Sequence, residues 1–230
     1  MGKYIKLFDT HFEYNTYISG QDAILPNVSY CEDNNDVHYN PFVPTETRLI
    51  ATFNVTSTNT PTSILYSGAI SQFIAIEIDG VVQPSVVSSY TFDTTGEHTV
   101  KYTLSDPTSI GNSGYDGATF LNCYELTSAI IPDSVETIGR AIFADCESLV
   151  FAIFGTGVTS FLGETFYTTT HPMNYLESIT IKAITPPSVL GVYNMDNTVP
   201  IYVPAESVNV YKTATGWTNY ANNIQAIPTT

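Results

Sequence analysis

The chain of 230 residues carries 7 basic against 22 acidic side chains, a formal charge of -15, with 13% charged, 43% hydrophobic and 13% aromatic residues. It is long enough to bury a substantial core without disulfide staples, and its acidity excludes the basic surface on which phosphate-backbone binding depends. Because the charged share falls well below the ~25% of ordinary globular proteins, Thr, Ser, Asn and Tyr must carry much of the solvated surface.

The first residues, MGKYIKLFDTHFEY, lack the continuous apolar segment of a secretory signal, so synthesis and folding in a cytosol are expected. Lys6 stands where a myristoylation pattern requires Ser or Thr. No apolar run reaches the ~18 residues of a membrane span, so no membrane insertion is expected. Within residues 1–46, Thr10 and Glu13 fit a capping box, and Tyr14, Tyr17 and Ile18 follow at helical spacing. A short helix over Thr10 to Ser19, ended by Gly20, is predicted. Two β-prone runs then flank the polar stretch Glu32 to Asp36, which predicts a hairpin over Val28 to Asn40. This segment is too small for a core of its own and reads as an anchor that leans on another body.

From Thr47 to Asp106 the period changes to two. Leu49, Ala51, Phe53 and Val55 alternate with polar neighbours, and Ile74, Ile76 and Ile78 lead into an Asp79-Gly80 hairpin turn. A further pair, SYTFDTTGEHTVKYTLSD, alternates through Val100, Tyr102 and Leu104 after a turn near Gly96. These short strands predict a small β-sandwich over residues 47–106.

Residues 107–230 contain a repeat. Ala118, Phe120, Cys123, Leu126, Val135 and Ile138 recur 23 residues later as Ala141, Phe143, Cys146, Leu149, Val158 and Phe161. A third copy starts at Phe166, and an insertion around His171 to Tyr175 delays its Leu176, Ile179 and Ile181. This is the length of one solenoid coil, whose apolar face is buried only by its neighbours. Phe120, Cys123, Leu126, Ile131, Phe143, Cys146, Leu149, Leu176 and Ile181 are the expected interior. The closing IYVPAESVNVYKTATGWTNYANNIQAI reads as strand, short helix, turn and final strand, forming a cap.

The pattern aF-x-x-C-x-x-L-x-x-I-x-I-P-x-x-V-x-x-I-G resembles the BspA-type leucine-rich repeat of Bacteroidetes surface proteins and their phages. The second copy departs from it with Gly155 in place of Pro132, and the third lacks the cysteine. FDTTGEHTVKYTL resembles the end of an Ig-like module that often precedes such repeats. FDTHFEYNTYISGQDAILPNVSYCEDNNDVHYNP resembles the leading segment of virion-associated proteins of gut Bacteroides phages, including crAss-like ones. The resulting expectation is a mainly β, multi-module chain: helix and hairpin anchor (1–46), Ig-like β-sandwich (47–106), and leucine-rich-repeat solenoid with C-terminal cap (107–230).

Cys31, Cys123 and Cys146 form no CxxC pair and no even disulfide framework. Cys123 and Cys146 are expected as neighbouring buried thiols, since a structural zinc requires four ligands. Cys31 and His38, facing each other across the predicted hairpin, supply half a metal site at most; His11, His98 and His171 lie at unrelated positions. Glu32 to Asp36 offer oxygen ligands for calcium but lack the glycine and distant glutamate of an EF-hand. GNSGYDG at 111–117 fails the serine-nucleophile elbow because Tyr115 stands at the second glycine, and reads as a flexible connector. GTGVTS at 155–160 is no phosphate loop. No catalytic residue, cofactor or metal is assigned, and the chain is expected not to be an enzyme.

Surface recognition is expected from Tyr167, His171 and Tyr175 in the insertion. Tyr124, Tyr193 and Trp217 are further candidates, although Trp217 and Tyr220 also stand where they would seal the last coil. The resemblance implies a virion surface protein, a head fibre or capsid decoration made in the host cytoplasm and released by lysis. Its anchor would dock on other virion proteins (capsid, portal or tail vertex) through Phe8, Tyr14, Tyr17, Val28, Tyr30, His38 and Tyr39. The outer modules would bind glycan or protein on a host or mucosal surface. A homo-oligomer, with a trimer favoured as in phage fibres, is implied; a cell-surface adhesin and a tail-associated receptor-binding protein are the alternatives.

Overall fold

A computed structural model describes residues 28–30, 37–39, 47–114, 118–166, 175–188 and 199–228. The chain divides into two compact units, Met1–Thr45 and Glu46–Thr230. In the smaller unit, β1 (Val28–Tyr30) and β2 (Val37–Tyr39) pair antiparallel with Val28 opposite Tyr39, Ser29 opposite His38 and Tyr30 opposite Val37. The register sets His38 opposite Ser29; Cys31, its expected partner, lies outside the described residues. The helix expected over Thr10 to Ser19 lies outside the described residues, as do Phe8, Tyr14, Tyr17 and the Glu32 to Asp36 stretch.

The larger unit is mainly β. Its first half contributes β3 (Leu49–Val55), β4 (Thr62–Ser63), β5 (Phe73–Ile78), β6 (Val81–Val82), β7 (Ser89–Tyr90) and β8 (Gly96–Leu104). Its second half contributes β9 (Ser109–Ile110), β10 (Leu126–Ile131), β11 (Thr137–Ile138), β12 (Phe151–Phe154), β13 (Ser160–Phe161), β14 (Ser178–Ile181), β15 (Ile201–Val203), the helix α1 (Val208–Thr213) and β16 (Ile224–Ala226). One sheet runs through both halves in the order β16-β15-β14-β12-β10-β3-β8-β5-β6. The β10 to β16 side is parallel, as coils of one hand must be, and β3 joins it antiparallel with Ala51 opposite Ala129.

Two expectations meet at this junction. The division expected between residues 106 and 107 falls inside the larger unit. The Ig-like sandwich is not shown as a separate body: β3, β8, β5 and β6 belong to the solenoid's sheet, and the two-residue pair β4–β7 forms a sheet of its own. The expected pairing of SYTF with EHTVKYTL is replaced as well: β7 pairs with β4, while β8 lies between β3 and β5. An open edge on the first coil would leave a row of backbone groups unpaired, and β3 covers it.

A row of inward side chains crosses eight strands in register: Ile78, Val100, Ala51, Ala129, Ala152, Ile179, Ile201 and Ile224, all buried. Small alanines occupy the centre because the aromatic ladder fills the opposite wall. Phe120 stacks on Phe143 at 5.8 Å and Phe143 on Phe166 at 5.4 Å, one ring per 23-residue coil. Tyr102 meets Phe120 at 5.7 Å, which extends the ladder into the first half. Ile74 departs from its expected inward place and is 69% exposed, because the register shifts between Phe73 and Ala75 and turns Phe73 inward instead.

Between coils the main chains bond directly. The Phe120 N–H donates to Ile142 O and the Phe143 N–H to Thr165 O. The narrow three-stranded parallel sheet β13-β11-β9 forms a further wall. β9 leads directly into the stretch expected as a flexible connector, yet there Arg140 N–H donates to Asn112 O and Gly111 N–H to the Gln72 side chain, and just before it Gly139 N–H donates to Ile110 O. Residues 115–117 lie outside the described residues. Gly155, which replaces the proline of the preceding coil, passes so close to the Pro132–Asp133 backbone that a Cβ would lie 2.5 Å from Asp133 Cα. The substitution noted in the repeat pattern therefore has a steric cause.

Glu125 ties the halves together beyond the sheet. Its carboxylate accepts from Thr56 N–H at 2.9 Å, Thr56 Oγ1 at 2.5 Å and Thr62 Oγ1 at 2.6 Å. Partial burial pushes its pKa up, but the Thr56 and Thr62 hydrogen bonds outweigh this and hold it below the ordinary 4.5. A lowered folded-state pKa means stability present above the unfolded value and lost as pH falls through the folded one. Glu125→Gln is expected to cost about 1 kcal/mol at neutral pH. In urea titrations at stepped pH, its difference from wild type should shrink as the pH drops below 4.5; a gap that stays constant would mean the charge contributes nothing.

Candidate functional site

Strand alternation sends polar side chains to the outer face of the large sheet. Thr99, Thr52, Ser128 and Phe151 stand opposite one another in register on β8, β3, β10 and β12, with Ser178 of β14 next in the row. A register shift between Leu126 and Ser128 bends β10 at this point, as bulges do when they re-aim side chains. The result is an open groove of about 490 Å³ lined by Thr52 and Asn54, Glu97 and Thr99, Thr127 and Ser128, and Val150 and Phe151.

The Thr127 hydroxyl is spent on Thr52 O at 3.1 Å. The side chains of Thr52, Asn54, Glu97 and Thr99 make no hydrogen bond to other described residues, whereas Ser128 is buried beneath them. Phe151 is 37% exposed although it sits in a strand. The groove therefore offers free hydroxyls, one carboxamide, one carboxylate and a partly exposed aromatic ring, with no basic side chain in its lining.

The cysteines are placed elsewhere. Cys123 and Cys146 are free and fully buried. The Cys146 thiol donates to Phe120 O at 3.0 Å, and Cys123 Sγ lies 3.8 Å from Ser63 Oγ. Burial pushes the Cys123 pKa up to about 12, against a lowering contact from Ser63. Burial first, and then the neighbouring Cys123, push the Cys146 thiol well above its ordinary value. Thiolates are the reactive species, so in a Cys31→Ser background a maleimide reagent is expected to label neither residue faster than the protein unfolds. Prompt labelling of the native state would overturn the packing assignment.

His98 is buried, with Nδ1 2.6 Å from Asp79 Oδ2 and Nε2 2.9 Å from Thr94 O, and its ring packs on Phe92 at 4.3 Å. Asp79 also accepts from Thr99 N–H and occupies the left-handed turn beside Gly80, with φ of 48°. The arrangement clamps the β5–β6 turn onto β8. Among the described residues, no group of three or more His, Cys, Asp or Glu could hold a metal ion, and no helix is long and apolar enough to cross a membrane.

Phe120, Cys123, Leu126, Ile131, Phe143, Cys146, Leu149, Leu176 and Ile181 all lie in the interior. Tyr175 and Tyr124 are exposed. Trp217 is fully buried, which takes it from the list of surface candidates to the cap. Tyr167, His171 and Tyr193 lie outside the described residues. Val28, Tyr30, His38 and Tyr39 belong to the hairpin of the smaller unit. None of the groove's residues was singled out from sequence. Their signal is a hydroxyl at an outward position of successive strands, which becomes a row only once the register is known.

No curated protein matches the chain. Residues 109–189 match the family described as BspA type Leucine rich repeat region (6 copies). That stretch opens on β9 and closes one residue beyond Ser188, which bridges in parallel to Ser160. With its 23-residue coils, stacked phenylalanines and parallel strands on two walls, this part of the chain is a BspA-type leucine-rich repeat region.

Proposed function

We propose that this chain is a non-enzymatic surface-adhesion protein that uses the outer face of its nine-stranded sheet to contact a host or mucosal surface, carried on a phage particle as a head fibre or capsid decoration. The BspA-type repeat region is the observation that carries adhesion. Its repeated positions are spent on packing, which leaves the outward side chains available for recognition. The net charge of -15 favours uncharged or basic counterparts over nucleic acid.

The virion assignment is supported by the resemblance of residues 8–41 to leading segments of phage virion proteins, and it gives residues 1–46 the role of docking to capsid, portal or tail-vertex proteins. A homo-oligomer, trimeric as in fibres, would cover the sheet's remaining edges. A cell-surface adhesin would use the same sheet face and differ only in where the protein sits.

Two measurements test the reading. Full-length protein should adhere to mucin-coated or bacterial-cell-coated surfaces, and failure on both would remove adhesion. An antibody to the chain should decorate the heads of purified phage particles in electron micrographs; antigen confined to a host membrane fraction would favour the cellular adhesin and sink the virion role.

A further inference from the structure

The groove across β8, β3, β10 and β12 lies in the middle of a sheet, where both backbone edges of β3 are already paired. A peptide that adds a strand needs an unpaired edge, so recognition here must use side chains. Those side chains exclude several ligand classes. The lining has no Lys or Arg to hold an anion, and the chain's charge repels one. Glu97 is the lone carboxylate, whereas calcium takes about 6–8 oxygen ligands.

What the groove does supply is unpaired hydrogen-bonding capacity beside an exposed apolar ring. Hydroxyls can donate and accept in turn, a carboxamide does both through separate atoms, and a carboxylate accepts from two donors. Neighbouring strands lie about 4.8 Å apart, close to the length of one pyranose ring, so successive hydroxyls of a sugar can meet successive strands. Phe151 adds a partly exposed aromatic ring to this row.

We propose that the groove binds a neutral oligosaccharide, with Phe151 against the apolar C–H face of one sugar ring and Asn54, Glu97 and Thr99 hydrogen-bonded to hydroxyls of that ring and its neighbour. This rests on the surface-adhesion reading and assigns its ligand class and location. The site spans both halves of the larger unit, because Asn54, Glu97 and Thr99 come from strands before the repeat and Phe151 from within it. It exists only where β3 continues the solenoid sheet.

The test applies full-length protein to immobilised neutral gluco-, manno- and galacto-oligosaccharides, alongside sialylated and sulfated ones. Binding to at least one neutral series is expected, weakened about tenfold or more by Asn54→Ala, Glu97→Gln or Phe151→Ala. Asn54 and Glu97 are exposed, so their variants should keep the wild-type melting temperature and circular dichroism. Val210→Ala, on the exposed side of α1, should bind as wild type.

Absence of neutral-sugar binding, binding restricted to anionic sugars, or neutral binding that Asn54→Ala and Glu97→Gln leave intact would overturn the proposal. If any of these occurs while the full-length protein still adheres to mucin or cells, the contact lies elsewhere and surface adhesion stands. Loss of adherence on every surface removes both.

Discussion

Phe143→Ala is expected to destabilise the folded chain by about 3–5 kcal/mol, read as a lowered urea midpoint at unchanged slope. Phe143 is fully buried at the centre of the ring ladder, 5.8 Å from Phe120, 5.4 Å from Phe166 and 6.3 Å from Phe154. Truncation removes its transfer free energy and leaves a void that rigid neighbouring coils fill poorly, and each aromatic pair adds about 0.5–1.5 kcal/mol beyond area. Because Phe120 also meets Tyr102, and Tyr102 OH donates to Ile64 O at 2.6 Å, the void weakens the first half as well. Phe143→Leu should recover much of the loss. A wild-type midpoint for Phe143→Ala would show that the ladder does not hold the coils together.

Trp217→Ala is expected to cost a similar 3–5 kcal/mol, but with a different distribution. Trp217 packs edge-on against Tyr211 at 4.8 Å and donates through Nε1 to Pro187 O at 2.8 Å, while Tyr211 OH donates to Ala183 O at 2.8 Å. The two rings thus close the end of the solenoid onto the segment that follows β14. Solenoids behave as a chain of nearest-neighbour units, so loss of this cap should open the C-terminal end first. Hydrogen exchange is expected to rise in β15, α1 and β16 while β3 and β8 keep their protection. Trp217→Phe keeps a ring but orphans Pro187 O, and about 1–3 kcal/mol of the loss should remain. Uniform exchange across the sheet in Trp217→Ala would mean that the cap and the first half unfold as one.

Several elements were legible because their cause is local. The 23-residue return of Phe, Cys and Leu marks the coils, since each coil must offer the same apolar side to the next. Asp79-Gly80 marks a turn because its geometry needs left-handed backbone, and the structure places both there, with φ of 48° and 82°. The strand, helix, turn and strand of the last segment follow from its own periodicity. Other readings failed where a long-range partner decides. Nothing within SYTFDTTGEHTVKYTL tells β7 to pair with β4, and nothing in RLIATFNV announces that its far edge will meet β10.

The sequence by itself determined the mainly β character, the repeat and its interior, and the packing role of Cys123 and Cys146, because these depend on which residue types recur at which spacing. Only the tertiary structure decided that β3 welds the first half to the solenoid in one sheet, that Trp217 is buried in the cap, and that Thr99, Thr52, Ser128 and Phe151 form one outward row. Periodicity states which face a side chain occupies, whereas its neighbours across the sheet are set by strand order and register, through hydrogen bonds between segments distant in the chain.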